Sequence, residues 1–130
     1  MEKETKELLK SRYDGSVESL RDTVIYGIQE KKGEKVLSID LREIENAVAK
    51  YFIICQASST TQVDSIADSV IDEVKQITGF SAWHIEGRKN AEWVLIDYSD
   101  VVVHIFLQDV RNFYKLEELW ADAKFEFFHD

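Results

Sequence analysis

Apolar residues recur along this chain with two different periods, which together predict an alternation of helices and strands. Val17, Leu20, Val24 and Ile28 repeat at helical spacing, whereas residues 51–57 form an apolar run typical of a central strand covered on both faces. The predicted elements are a helix at 17–32, strands at 36–40 and 51–57, a helix at 63–78, strands at 81–86, 92–98 and 101–107, and a helix at 110–120. This order predicts an α/β or α+β fold, a mixed β-sheet flanked by helices in a single domain, with helix 63–78 crossing one face.

Short polar residues and glycines mark where these elements begin and end. Ser16 and Ser59 are placed as N-caps of the first two helices, and Ser59 with Gln62 fits a capping box. Gly79 follows the last apolar position of the second helix and is expected to end it. Ser99 and Asp100 separate two strong strands, which predicts a tight β-hairpin.

The composition permits one hydrophobic core and gives the chain a strong negative charge. The chain has 130 residues, of which 45% are hydrophobic, enough for one domain and short for two. We divide it into a polar arm (1–15), a domain (16–122) and an aromatic tail (123–130). The net charge of −9 disfavours nucleic acid as the main direct partner. It favours a basic protein partner, although solubility alone also explains it.

Several classes of protein are disfavoured by what the sequence contains. Cys55 is the sole cysteine and lies in an apolar run, which predicts a buried, unreactive thiol. His84, His104 and His129 show no metal-ligand spacing, so neither a metal nor another cofactor is expected. The first residues lack the apolar core of a signal peptide, and no run approaches the ~20 residues of a membrane span. We therefore expect a cytoplasmic protein without membrane association.

The candidate site lies on the predicted hairpin. Trp93 and Asp97 fall on one face of a strand because side chains alternate, and a face carrying Asp97 is not expected to be wholly buried. Trp93 is thus either a core residue or a partner anchor. Tyr98 and Asp100 flank the turn, where ordinary turn chemistry is the alternative to contact with a basic partner. His104 is a further candidate, although a buried, hydrogen-bonded histidine explains it as well.

An enzymatic role finds little support in the same residues. A two-metal transferase needs carboxylates on alternate residues of one strand, so that both point at one site. Asp97 and Asp100 are three residues apart and would point to opposite faces. The helix start at Ser58 and Ser59 could bind an anion, but capping alone explains these serines. We therefore expect no catalysis, with a divergent nucleotide-binding enzyme as the alternative.

Two long segments resemble the signature of the ribosomal silencing factor S, or Iojap-like, family. They are residues 91–106 (AEWVLIDYSDVVVHIF) and residues 111–120 (RNFYKLEELW). Residues 51–54 and 58–68 add to this resemblance, which covers about 17–122 and leaves the arm and the tail outside. Ser99 and Ala57 stand where the family usually has glycine. A type II′ turn needs a positive φ at its first central residue, so Ser99 is expected to strain the turn or select another type.

The resemblance implies a nucleotidyltransferase-like fold without transferase activity. It also implies binding to a basic ribosomal protein on the joining face of the large ribosomal subunit. Bound there, family members block docking of the small subunit and repress translation when nutrients are short, and they can form homodimers. The resemblance further implies that Trp93 contacts the ribosomal protein. The negative charge agrees with such a partner but does not identify it.

The tail and the last predicted helix carry further apolar residues. Phe125 and Phe127 alternate with Lys124 and Glu126, a pattern typical of a half-buried strand. Because several exposed Phe side chains would form a sticky patch, we expect the tail to pack on the sheet or on a second copy of the chain. Trp120 is expected in the core, and Arg111, Tyr114 and Glu117 are expected to tie the last helix to the sheet.

Overall fold

The structure is a computed structural model that describes residues 5–120 and 122–128. The helices are α1 (Lys6–Arg12), α2 (Val17–Glu30), α3 (Thr60–Thr78) and α4 (Gln108–Tyr114), followed by a 3₁₀ helix (Leu116–Trp120). The strands are β1 (Glu34–Asp40), β2 (Tyr51–Ala57), β3 (His84–Glu86), β4 (Trp93–Asp97), β5 (Val101–Leu107) and β6 (Lys124–Phe128). The predicted order is confirmed, and α1 and β6 extend it at its two ends.

The strands form one mixed six-stranded sheet in the order β3-β4-β5-β2-β1-β6. The central strands β2 and β5 run parallel, with Ile53 opposite Val103, and the other neighbours are antiparallel. Helix α3 follows β2 and leads to the distant edge strand β3, as a crossover on one face. The predicted fold, a mixed sheet flanked by helices in a single domain, is confirmed.

One face of the sheet is covered by α2 and α3, which pack closely against each other. A Cβ atom added to Gly27 would lie 3.0 Å from the Cα atom of Val70, so glycine is needed where the helices cross. The Ser69 hydroxyl donates a hydrogen bond of 2.7 Å to the Gly27 carbonyl at the same crossing. Fully buried apolar side chains of α3 then meet those of β2 and β5, among them Ile66, Ile53 and Ile105. This face forms the larger part of the core.

The other face of the sheet is covered less completely. Its buried residues include Leu37, Phe52 and Phe106, and parts of the segment 41–49 and of the 3₁₀ helix pack over them. Trp120, expected in the core, is half-buried and packs against the outside of this cluster, with its ring 5.8 Å from that of Phe52 in an edge-on arrangement. Toward β4, the side chains of this face remain partly exposed.

The predicted caps at Ser16, Ser59 and Gly79 are confirmed, with one difference. The Ser16 and Ser59 side chains accept hydrogen bonds from backbone N–H groups of their first turns, and Gly79 ends α3 with φ of 85°. Gln62 does not complete the reciprocal capping box. Its amide nitrogen instead approaches the carbonyls of residues 31 and 32 at 3.3 Å, which links the start of α3 to the end of α2.

The two ends of the chain contain more regular structure than the sequence indicates. In the arm, α1 places Leu9 in a small cluster with Tyr26 and Ile77. The tail packs on the sheet as predicted, because β6 pairs with β1 along its length. The last predicted helix is divided at Lys115, whose φ of 48° is left-handed. The predicted strand 81–86 is reduced to three residues.

Candidate functional site

The candidate site is built on the less covered face of β4 and β5, where Trp93 is half-buried. Trp93 and Phe106 are opposite each other across the two strands, with ring centroids 4.8 Å apart. The indole Nε1 of Trp93 donates a hydrogen bond of 3.1 Å to Nδ1 of His104. The indole is therefore held from below by packing and from one edge by a hydrogen bond, while part of it faces solvent.

His104 lies beneath this surface, since only 4% of it is exposed. Burial lowers the pKa of His104 to about 4, so the imidazole is neutral near pH 7. Because Nδ1 accepts the Trp93 hydrogen bond, the ring proton is placed on Nε2, which is buried and has no hydrogen-bond partner among the described residues. Phe52 packs edge-on against the ring at 4.9 Å. His104 thus orients Trp93 from within the core.

The hairpin turn holds two carboxylates near the surface. Oδ1 of Asp97 accepts a hydrogen bond of 2.6 Å from the Ser99 backbone N–H. Ser99 has a φ of 74°, and the Asp100 N–H donates to the Tyr98 carbonyl at 3.0 Å, a γ-turn. Ser99 therefore takes a left-handed φ with a Cβ in place, a conformation that is strained for a residue other than glycine. The Asp100 carboxylate is 56% exposed and lies 4.0 Å from the ammonium of Lys50.

Tyr98 lies on the opposite face of the sheet from Trp93. It packs into the core under the helices and is only 9% exposed. Burial raises the pKa of its hydroxyl, which therefore stays protonated, and this hydroxyl has no hydrogen-bond partner among the described residues. The structure thus brings Trp93, Asp97 and His104 together on one face, with Asp100 at the turn and Tyr98 behind it.

One exposed aromatic residue near this hairpin is not among the candidate site residues that the sequence indicated. Trp83 is 83% exposed, and its backbone N–H donates a hydrogen bond of 2.7 Å to the Asp97 carbonyl. The predicted strand at 81–86 includes Trp83, but β3 begins only at His84 and forms the edge of the sheet, so Trp83 lies just before the strand. In the sequence, the sign that Trp83 could be exposed was its position between Ala82 and His84, in a segment where apolar and polar residues alternate little.

A larger cleft of about 700 Å³ lies toward the other edge of the sheet, between β1, α4 and β6. Arg111 is buried at the base of this cleft. Its Nη1 donates a hydrogen bond of 2.8 Å to the Lys35 carbonyl and lies 3.4 Å from Oε1 of Gln56. This arrangement ties α4 to the sheet, as expected for Arg111. The side chains of Tyr114 and Glu117, expected to act with it, lie outside the described part of the structure.

The remaining chemistry of the described residues is limited. Cys55 is fully buried, and burial raises the pKa of its thiol to about 12, so the thiol is not ionised near neutral pH. Within residues 5–120 and 122–128, no three His, Cys, Asp or Glu side chains cluster closely enough to hold a metal ion. In the same part of the chain, no helix is long and apolar enough to cross a membrane.

Fold and site together define a small α/β protein that offers an aromatic and acidic surface. The model of the family "Ribosomal silencing factor during starvation" matches residues 15–129, so this chain belongs to the ribosomal silencing factor family. The resemblance recognised in the sequence is confirmed. The range expected for it, about 17–122, is too short, because the family match also includes most of the tail.

Individual relatives support the same family. The chain is 39% identical over 108 residues to the ribosomal silencing factor of Halalkalibacterium halodurans, covering 83% of this chain and 91% of that protein. It is 43% identical over 94 residues to that of Bacillus subtilis, covering 72% and 78%. A crystal structure of a protein from Chromobacterium violaceum superposes with a TM-score of 0.78 at 30% identity, over 88% of this chain and 94% of the other.

Proposed function

We propose that this chain binds a basic ribosomal protein on the joining face of the large ribosomal subunit. Bound there, it sterically blocks association with the small subunit and so represses translation. Family membership supports this role, and the net charge of −9 supports a basic partner, since complementary charge accelerates and orients association. The observation that carries the proposal is the half-buried Trp93, oriented by His104 on an incompletely covered face.

We assign the five candidate residues to two layers of this interface. Trp93, Asp97 and Asp100 contact the partner, because each has an exposed part on the hairpin. His104 and Tyr98 are buried and act by supporting the contacting residues from beneath. Trp is a frequent interface anchor, and Trp93 needs little ordering on binding because the protein already fixes it.

Three further properties belong to the proposal. The chain acts in the cytoplasm, where ribosomes join their subunits. It acts by occupying a surface and not by catalysis. It also forms a homodimer in the absence of the ribosome. The exposed aromatic side chains of the edge strand β6, Phe125 at 39% and Phe127 at 59%, favour such self-association, because adjacent exposed aromatic residues on a strand edge are readily covered by another chain.

The decisive experiment measures subunit joining directly. Purified chain is added at increasing concentration to large subunits, small subunits follow, and the fraction of joined ribosomes is read by sucrose-gradient sedimentation. We expect the chain to sediment with large subunits and to reduce joining in proportion to its occupancy. A chain that binds large subunits at saturation but leaves joining unchanged would overturn steric block. A chain that does not bind them would overturn the proposal entirely.

A further inference from the structure

A second surface feature lies beside the hairpin, on the side of the sheet away from Trp93. It is an open pocket of about 410 Å³ between the start of α2, the segment after α3 and the turn. Its lining includes Val17, Leu20, Phe80, Trp83, Tyr98 and Asp100. Pockets of 300–1,000 Å³ with apolar walls and a few polar groups are typical binding sites for one small group.

The pocket combines an exposed aromatic side chain with a buried polar group that lacks a partner. Trp83 is 83% exposed and Phe80 47% exposed, so the indole is not packed into the fold. Tyr98 is only 9% exposed, and its hydroxyl has no hydrogen-bond partner among the described residues. An unpaired buried hydroxyl is costly, and a ligand group that reaches it would remove this cost.

Charge at the rim favours a cation. Asp100 lines the pocket, and the Asp14 carboxylate accepts a hydrogen bond from the backbone N–H of Ser16, another residue of the lining. Among the described residues, two cations lie close to this rim, and both have partners. Lys50 is 4.0 Å from the Asp100 carboxylate, an exposed and weak pair, and the Lys75 ammonium donates to the Gly79 carbonyl and the Ser81 hydroxyl.

We propose that this pocket receives an arginine side chain of the basic partner, an inference that rests on the proposed function. The aliphatic stem packs on Val17 and Leu20, the guanidinium stacks on the Trp83 indole, and Asp100 supplies the opposite charge. A planar guanidinium matches both an aromatic face and a carboxylate, which a compact ammonium does less well. Since Asp100 also belongs to the Trp93 surface, the interface wraps around the hairpin and uses both faces of the sheet edge.

The test compares substitutions of Trp83 in equilibrium binding to purified large ribosomal subunits. Trp83→Leu removes the aromatic face but keeps apolar bulk, and Trp83→Phe keeps an aromatic face. Leu8→Ala, at a 40% exposed apolar position of α1 that does not line the pocket, is the control. We expect Trp83→Leu to weaken binding about 3- to 30-fold, the range of a cation–π contact. Trp83→Phe should retain most of the affinity, and Leu8→Ala should bind like the unsubstituted chain. Melting temperatures should be unchanged, because Trp83 is largely exposed.

The outcomes separate this inference from the proposed function. Wild-type affinity for Trp83→Leu, together with a strong loss for Trp93→Ala, overturns the arginine pocket and leaves the ribosome-binding role intact. Equal losses for Trp83→Leu and Trp83→Phe overturn the cation–π contact. If the unsubstituted chain does not bind large subunits, the proposed function and the pocket assignment both fail.

Discussion

Trp93 shows how one side chain can be both packed and available. The Phe106 ring lies under the indole, and His104 accepts its N–H at 3.1 Å, so the indole has a fixed orientation before any partner arrives. A preorganised aromatic side chain loses little conformational entropy on binding. Strand alternation already placed Trp93 with Asp97. The hydrogen bond that Trp93 donates to His104 depends on a neighbouring strand, so alternation within one strand cannot reveal it.

Truncation of Trp93 is expected to damage binding more than folding. Trp93→Ala should weaken binding to large subunits by roughly 2 kcal/mol, about thirtyfold, as is common for interface tryptophans. The indole is half-buried, so some thermal stability will also be lost. Ile71→Ala, at a half-buried apolar position of α3 on the other side of the sheet, is a control for loss of packing. A variant that melts much lower but binds normally when folded would identify Trp93 as a core residue.

His104 predicts a specific loss of stability in mild acid. Its pKa is lowered to about 4 by burial, below the ordinary value near 6.5, so the unfolded state binds more protons between these values. The stability that depends on neutral His104 is fully present above pH 6.5 and is lost as the pH falls toward 4. Between pH 7 and pH 5 this amounts to about 2 kcal/mol. In chemical denaturation, the free energy of unfolding of His104→Phe should therefore fall by about 2 kcal/mol less between pH 7 and pH 5 than that of the unsubstituted chain. If the free energies of both proteins fall in parallel, His104 is not the group that causes the loss.

At the scale of elements, the β4–β5 hairpin stores strain at a position that carries a side chain. Ser99 adopts a φ of 74°, which costs a residue with a Cβ roughly 1–2 kcal/mol. Glycine avoids this cost but loses about 0.5–1 kcal/mol of chain entropy. Ser99→Gly should therefore raise the free energy of unfolding by roughly 0.5–1 kcal/mol. Ser58→Gly, at an exposed position without a positive φ, should not stabilise, and equal effects in the two variants would argue against strain.

The sequence predicts these elements unequally well, for physical reasons. Helix α3 was predictable because caps and apolar spacing are local, and Ser59 and Gly79 lie where the pattern places them. The order of strands in the sheet depends on contacts between distant segments, which local pattern does not encode. The same limit applies to the site. Tyr98 was expected at the interface because it flanks the turn, although alternation had already placed it with Val94 on the opposite face, where it is buried.

Strand β6 is expected to contribute stability through its pairing with β1. Removing residues 124–130 would expose the edge of β1 and uncover Ile39, which lies opposite Phe125. We expect the melting temperature to fall by about 5–10 °C, as for a loss of roughly 2 kcal/mol from a domain of this size. Phe127→Ala, at a 59% exposed position, should have a much smaller effect. An unchanged melting temperature and an unchanged oligomeric state after truncation would show that β6 does not stabilise the sheet.

For the whole molecule, the distribution of charge determines how a basic partner is met. The chain has 25 acidic residues and 16 Lys and Arg, and several of the cations are engaged by their own carboxylates. Arg88 pairs with Asp64 and Asp68 on the outer side of α3. The candidate interface spans β4, about 13 Å from Trp93 to Asp97, and continues to the turn. Its two acidic residues, Asp97 and Asp100, thus lie at the turn end of the surface, and Trp93 lies at the other end.

Charge reversal at the turn tests whether local or overall charge governs binding. Asp100→Lys changes the net charge from −9 to −7, since one negative charge is lost and one positive charge is gained. Asp72→Lys makes the same change at an exposed position of α3. We expect Asp100→Lys to weaken binding to large subunits roughly fivefold at low salt, and Asp72→Lys to have little effect. The difference should shrink in high salt, because the screening length falls from about 10 Å at 0.1 M to about 3 Å at 1 M. Equal losses in both variants would assign the effect to net charge, and unchanged affinity of Asp100→Lys at low salt would remove Asp100 from the interface.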